Sequence, residues 1–161
     1  WITDPVSGGG RIVGEACHFV DLCAFLVGAP PVRVFAQALG RDPERDDSLG
    51  AQLDFADGSS ATLHYLAGAS SELPKERFEV SGAGHTALCD NFRQTRILGG
   101  KGLRTVNQDK GQAAAVREVL AAVREGRPSP FTLEEIEAVC SATFALLESA
   151  RRGCEVLLAS R

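Results

Sequence analysis

Residues 8–21, GGGRIVGEACHFVD, hold the groups best suited to chemistry in this chain. Helical spacing puts His18 four residues after Gly14 and three after Glu15, so an imidazole would lie over the turn that begins at Gly8, Gly9 and Gly10. Glycines without Cβ let a backbone approach a ligand closely, and the unbonded N–H groups of a helix start can hold a hydroxyl or carboxylate oxygen. Histidine accepts a proton near neutral pH, as removal of an alcohol proton requires when hydride leaves the carbon. Taken alone, the spacing equally fits a core histidine bonded to Asp21 or to backbone, behind a plain glycine turn.

Other candidates are thinner. Lys75 and Arg77 in PKER could neutralise an acidic group of a substrate or simply form a solvated strand edge. His64 and His85 fall on presumed strands, where either could face a pocket. GAGHTA at 82–87 formally fits G-x-G-x-x-A, but it lies between strand-like segments instead of opening a helix, so it reads as a turn. GGKG at 99–102 lacks the spacing and the Ser or Thr of a phosphate loop. Cys17 and His18 are adjacent and diverge on a helix, so no metal site is expected. The five cysteines form an odd set with no C-x-x-C pair, which points to reduced thiols serving as small buried side chains.

The elements that must position these groups follow from pattern. A chain of 161 residues fits one domain with one core. A formal charge of −4 with scattered basic residues gives no footprint for nucleic acid or an anionic membrane. There is no apolar run long enough to span a bilayer and WITDPVSGGG has no signal-peptide character, so a soluble, cytoplasmic protein is expected. The first residue is Trp1 and the chain contains no methionine, which suggests a fragment with an upstream part missing.

From Ile12 to Leu26 the apolar residues are dense enough for a largely buried helix, stopped by Gly28 and Pro30-Pro31. VRVFAQALGR alternates as a strand. In SLGAQLDFADGSSATLHYLAG two alternating runs flank Asp57-Gly58, the pattern of a β-hairpin. ERFEVSGAG, HTALCDNF and RQTRILGG read as further strands between turns. A helix follows with Ala113, Val116, Leu120 and Val123 on one stripe, ending at Gly126. Thr132 and Glu135 then make a capping box, with Phe131 and Ile136 at hydrophobic-staple positions. Ile136, Val139, Cys140, Thr143, Leu147 and Ala150 continue that helix's buried face to about Arg152. Helix, strand run and two helices predict an α+β fold: an open, mainly antiparallel sheet of about six strands, with helices covering one face. The open face is a natural association surface.

GGGRIVGEACHFVDLCAFLVGAPPVRVFAQA resembles the opening of the C-terminal domain of the glucose-fructose oxidoreductase and inositol dehydrogenase family, written Gfo/Idh/MocA. LDFADGSSATLHY is similar to its sheet hairpin, and EVLAAVREGRPSPFTLEEIEAVCSATFALLESARRG to its closing helices, so the likeness spans nearly the whole chain. LPKERFEVSGAG and DNFR resemble a subgroup fused to a zinc-type alcohol dehydrogenase-like part.

The resemblance implies a glyceraldehyde-3-phosphate dehydrogenase-like C-terminal domain, here residues 1–161. It would supply substrate binding and oligomer contacts to an oxidoreductase acting on a sugar, cyclitol or polyol. NAD or NADP would be bound mainly by an N-terminal Rossmann domain outside this chain, which would also carry the family's Lys-Pro element and dinucleotide fingerprint. His18 matches the proton-transferring histidine, and Gly8, Gly9, Gly10 and Arg11 match the loop facing substrate and nicotinamide. Many members place an aspartate four residues before the histidine. This chain has Gly14 there and Glu15 one place later, and one residue turns a side chain by about 100°. The substrate-binding set implied is therefore Gly8, Gly9, Gly10, Arg11, Gly14, Glu15 and Lys75, with His18 catalytic. The alternative is a non-catalytic dimerisation or ligand-binding module that has lost the carboxylate.

Overall fold

The computed structural model describes residues 9–40, 47–100 and 107–158. In chain order the elements are a π-helical turn Ile12–Ala16, α1 Cys17–Val27, β1 Pro31–Ala38, β2 Leu49–Phe55, β3 Ser60–Tyr65, β4 Arg77–Gly82, β5 His85–Asp90, β6 Gln94–Leu98, α2 Gln112–Glu125, α3 Leu133–Arg152 and β7 Val156–Leu157. They fall into two compact units, residues 1–68 with 131–161, and residues 69–130. No helix among the described residues is long and apolar enough to cross a membrane.

In the first unit an antiparallel sheet runs in the order β3-β2-β1-β7. β1 buries Val34 and Ala36 and exposes Arg33, Phe35 and Gln37, the alternation its sequence carries. The β2–β3 hairpin closes where the Asp57 carboxylate accepts the Ser59 N–H at 2.9 Å and Gly58 takes φ 87°, a left-handed value that glycine adopts without strain. Its register sets Leu49 opposite Tyr65 and Leu53 opposite Ala61.

The π turn, α1 and α3 supply the helical side of this unit's core. Ile12, Ala16 and Val20 meet Val34, Leu49, Leu53 and Phe55 of the sheet and Ala142, Ala145 and Leu146 of α3. α1 stops at Gly28, which is left-handed and returns its N–H to the Ala24 carbonyl at 2.8 Å, as expected. α3 begins with the expected capping box. Glu135 N–H donates to Thr132 Oγ1 at 3.2 Å, and Thr132 N–H donates to Glu135 Oε2 at 2.9 Å.

Three expectations about burial need correction. α1 is not buried on most sides: one stripe is, while Phe25 is 79% exposed. The inward face of α3 is Ala142, Thr143, Ala145, Leu146 and Ser149, whereas Ile136 and Cys140 are exposed. Ala142, Ala145 and Ser149 let the helix lie close on the sheet, with Leu146 in the core and Val139, Leu147 and Ala150 packed against it. The thiols likewise differ: Cys89 is buried, Cys17, Cys23 and Cys154 are half-buried, and Cys140 is exposed.

The second unit is a three-stranded antiparallel sheet, β4-β5-β6, followed by α2. GAGHTA is the β4–β5 turn, with Ala83 and Gly84 at φ 49° and 77°. Lys110 reaches Glu76 at 2.7 Å, tying the segment before α2 to the entrance of β4. α2 ends at a left-handed Gly126, as its sequence indicates, but its Val116, Leu120 and Val123 lie on the surface. The α+β class stands, with the six expected strands divided between two sheets and β7 added to the first.

Candidate functional site

The start of the first helix is built by two left-handed glycines. Gly9 and Gly10 have φ 70° and 82°, and a Cβ on Gly9 would stand 3.2 Å from Val13. Both positions therefore need glycine. Arg11, the residue before the π turn, makes no side-chain cap hydrogen bond to it. Ile12–Ala16 is wound as a π turn, a local form that recurs at functional sites, before α1 takes over.

This winding sorts the helix into four stripes. Ile12, Ala16 and Val20 enter the core. Arg11 and Phe19 turn toward Tyr65 at the end of β3: the Arg11 guanidinium donates to the Tyr65 hydroxyl, and the Phe19 and Tyr65 rings are 6.2 Å apart. Cys17 faces α3, where Cys140 acts on it. His18, Asp21 and Phe25 point outward and are exposed. His18 is thus no core histidine, and the ring is open to a ligand.

The electrostatics follow from this sorting. Burial pushes the Tyr65 hydroxyl above its ordinary range, against the opposing hydrogen bond and charge of Arg11. Burial likewise raises the thiols of Cys17 and Cys23. Arg11 also pairs with Asp47 at 3.5 Å, and its Nε is shut off from solvent. Its guanidinium therefore braces the helix start against β3 and the segment before β2. Tyr65 and Asp47 went unremarked in the sequence, although Tyr65 is the only tyrosine and ends the inward-facing run of the hairpin.

Glu15 is half-buried and His18 is exposed. Gly14 sits four residues before His18 within the π turn. A π turn, bonded i→i+5, rotates less per residue than an α turn, which brings residues four apart closer to alignment. Among the remaining candidates, Gly8 lies outside the described residues, and Lys75 is exposed in the bend before β4 in the second unit. His64 is exposed on the outer face of the first sheet, with its ring over Gly50. His85 is exposed beside the β4–β5 turn and contacts the Ala83 carbonyl at 3.0 Å. In the second unit Arg77, Glu79, Asp90 and Arg96 line an open groove of about 500 Å³ that alternates in charge across the strands.

A pyrophosphate cradle needs a glycine turn between a strand and a helix, and 82–87 joins two strands instead. The outward imidazole is accessible to a hydroxyl of a bound molecule.

The family model described as the GFO/IDH/MocA C-terminal domain matches residues 1–87. A search of curated proteins finds no match. Among solved structures, the chain is similar to an NAD binding oxidoreductase from Klebsiella pneumoniae, with TM-score 0.84 and 17% identity over 100% of this chain and 54% of that one. It is also similar to an aldose-aldose oxidoreductase from Caulobacter crescentus complexed with glycerol, with TM-score 0.79, 22% identity, 98% of this chain and 50% of that one. A third is the UDP-N-acetylglucosamine 3-dehydrogenase of Acidithiobacillus ferrooxidans, with TM-score 0.74, 19% identity, 92% of this chain and 50% of that one. These likenesses establish the fold, and the chain spans about half the length of the solved structures it matches.

Proposed function

Because this chain belongs to the GFO/IDH/MocA family, whose C-terminal domain it carries, we propose that it is the substrate-binding part of an NAD(P)-dependent oxidoreductase acting on a sugar, cyclitol or related polyol. The observation that carries this reading is the exposed His18 ring, about two helical turns beyond a backbone turn that only glycines make without strain. An N-terminal Rossmann domain is the partner that would hold the dinucleotide, whose nicotinamide takes the hydride.

This chain's own residues have three tasks. Gly9 and Gly10 bring bare backbone up to the substrate, where N–H groups of the helix start can hold a hydroxyl oxygen. Arg11, held by Asp47 and Tyr65, keeps the helix start fixed against the sheet. His18 accepts the proton of the reacting hydroxyl on a ring nitrogen and returns it in the reverse direction. Homo-oligomerisation through the outer face of the first sheet is part of the same proposal, supported by the exposed Phe35 and Leu157 there.

The test is reduction of NAD and NADP by the full-length protein with a polyol and sugar panel, beside His18→Ala. Equal rates in the two proteins would remove His18 from the mechanism. Gly14, which leaves no carboxylate four residues before His18, favours the second reading, a module that binds a sugar-like ligand without reacting it. Binding of panel members with no cofactor reduction would select it.

A further inference from the structure

We propose that the outer stripe of α3 is the seat of the N-terminal half of the full-length protein, so that α3 is a middle layer with the first sheet on one side and an apolar surface of that half on the other. The inference takes its partner from the reading above and adds the surface on which that partner sits.

Leu133, Ile136, Cys140 and Phe144 follow one another at steps of three, four and four residues, which brings them onto one side of the helix. All four are exposed, Leu133 at 66%, Ile136 at 51% and Phe144 at 57%. The residues that meet the sheet lie elsewhere on the circumference. At about 100° per residue, Cys140 stands about 160° round from Ala142, and Phe144 the same from Leu146. A surface helix carries polar residues on the side away from its core. Single exposed apolar side chains are ordinary, but four in register along about three turns form a patch, and a helix apolar on two sides belongs inside a larger body.

Size selects the occupant. Four side chains exposed to this degree present roughly 400 Å² of apolar surface, against about 800 Å² per partner in a standard bimolecular interface. Two copies pairing α3 on α3 would bury only about 800 Å² in all, the scale of a crystal contact. Domains of one chain are tethered, so interfaces of about 600–1,500 Å² suffice between them. The chain matches a C-terminal domain and spans about half the length of the solved structures it resembles, so in a protein of that length a second half lies N-terminal to it.

Cys140 is a native probe in the middle of the stripe. The experiment treats the full-length protein with N-ethylmaleimide, folded and in urea, at high and at low protein concentration, and follows the Cys140 peptide by mass spectrometry. Cys140 should react at least about tenfold more slowly in the folded protein than in urea, equally at both concentrations. Leu133→Asp gives an independent reading with opposite signs, because Leu133 is the first residue of α3. A carboxylate in the first turn of a solvated helix raises Tm, whereas one pressed against an apolar surface lowers it. The full-length Leu133→Asp protein should therefore melt below wild type. Labelling uses wild type, so it decides the matter if that variant fails to fold. Cys140 reacting as fast folded as in urea, or a raised or unchanged Tm in Leu133→Asp, overturns the docking face. Protection that vanishes on dilution also overturns it, since the cover is then a second copy. Neither readout uses turnover, so loss of His18 from the mechanism leaves this inference standing, and its failure leaves His18 in place.

Discussion

The Ser149 hydroxyl accepts the Ala36 amide at 2.8 Å and donates to the Cys154 carbonyl at 2.6 Å, joining α3 to the middle of β1. β7 pairs with β1 only at Arg33 and Val34, so past that point a helix side chain closes the strand edge. Ser149→Ala would strand a buried N–H and a carbonyl, costing about 1–3 kcal/mol. The urea midpoint should fall at unchanged slope. A midpoint equal to wild type would mean that the bridge contributes nothing.

His18→Ala should lower kcat of the full-length enzyme by about 10²–10⁴-fold, the usual worth of a positioned proton acceptor. Because the ring is exposed, the folding free energy should change by no more than about 0.5 kcal/mol. Glu15→Gln should leave turnover nearly intact, since Glu15 is one residue, about 100° of helix, away from the position four before His18. Steady-state kinetics with parallel thermal melts separates the two, and a collapse in Glu15→Gln as deep as that of His18→Ala would put the carboxylate in the proton path.

Alkaline pH should weaken the fold. Burial raises the Cys23 and Cys17 thiols, so the folded chain keeps protons that the unfolded chain has already released. This contribution is fully present below the unfolded pKa and is lost as pH rises through the folded one, beginning at about pH 8.5. Tyr65, raised in the same direction, adds to the loss above about pH 10. Urea titrations across this range should show a falling stability that Cys23→Ala flattens. An identical slope in wild type and variant would acquit the thiol.

Thr132→Ala removes one half of the capping box and should cost about 1 kcal/mol, lowering Tm by roughly 2–4 °C. Calorimetry is the measurement. Thr132→Ser should restore most of the loss, and a failure to do so would point to the methyl group instead of the cap.

Much of this architecture could be read from local signals. Asp57-Gly58 marked the hairpin, Gly28, Gly126 and the Thr132–Glu135 pair marked helix ends, and GAGHTA was recognisable as a turn because it separates two alternating runs. What escaped depends on distant partners. Division of the strands into two sheets is a matter of non-local pairing, and β7 is only two residues long, too short to carry a period. On α3, Thr143 is buried and Val139, Leu147 and Ala150 pack on the core as the helical period indicates, while Ala142, Ala145 and Ser149 carry no large apolar side chain to mark their contacts. The Arg11–Tyr65–Asp47 brace joins three separated segments, and the π winding has no compositional mark.

That winding gives the chain slack at one place. An i→i+5 turn carries one residue more than an i→i+4 turn between the same ends. Deleting Val13 would let Ile12–Ala16 rewind as ordinary α-helix, with Cys17–Val27 left seated on the sheet. The same single-codon loss inside α3 would throw every later contact out of phase by about 100°. Length variation between the glycine pair and the imidazole is therefore tolerable here as nowhere else along the two core helices.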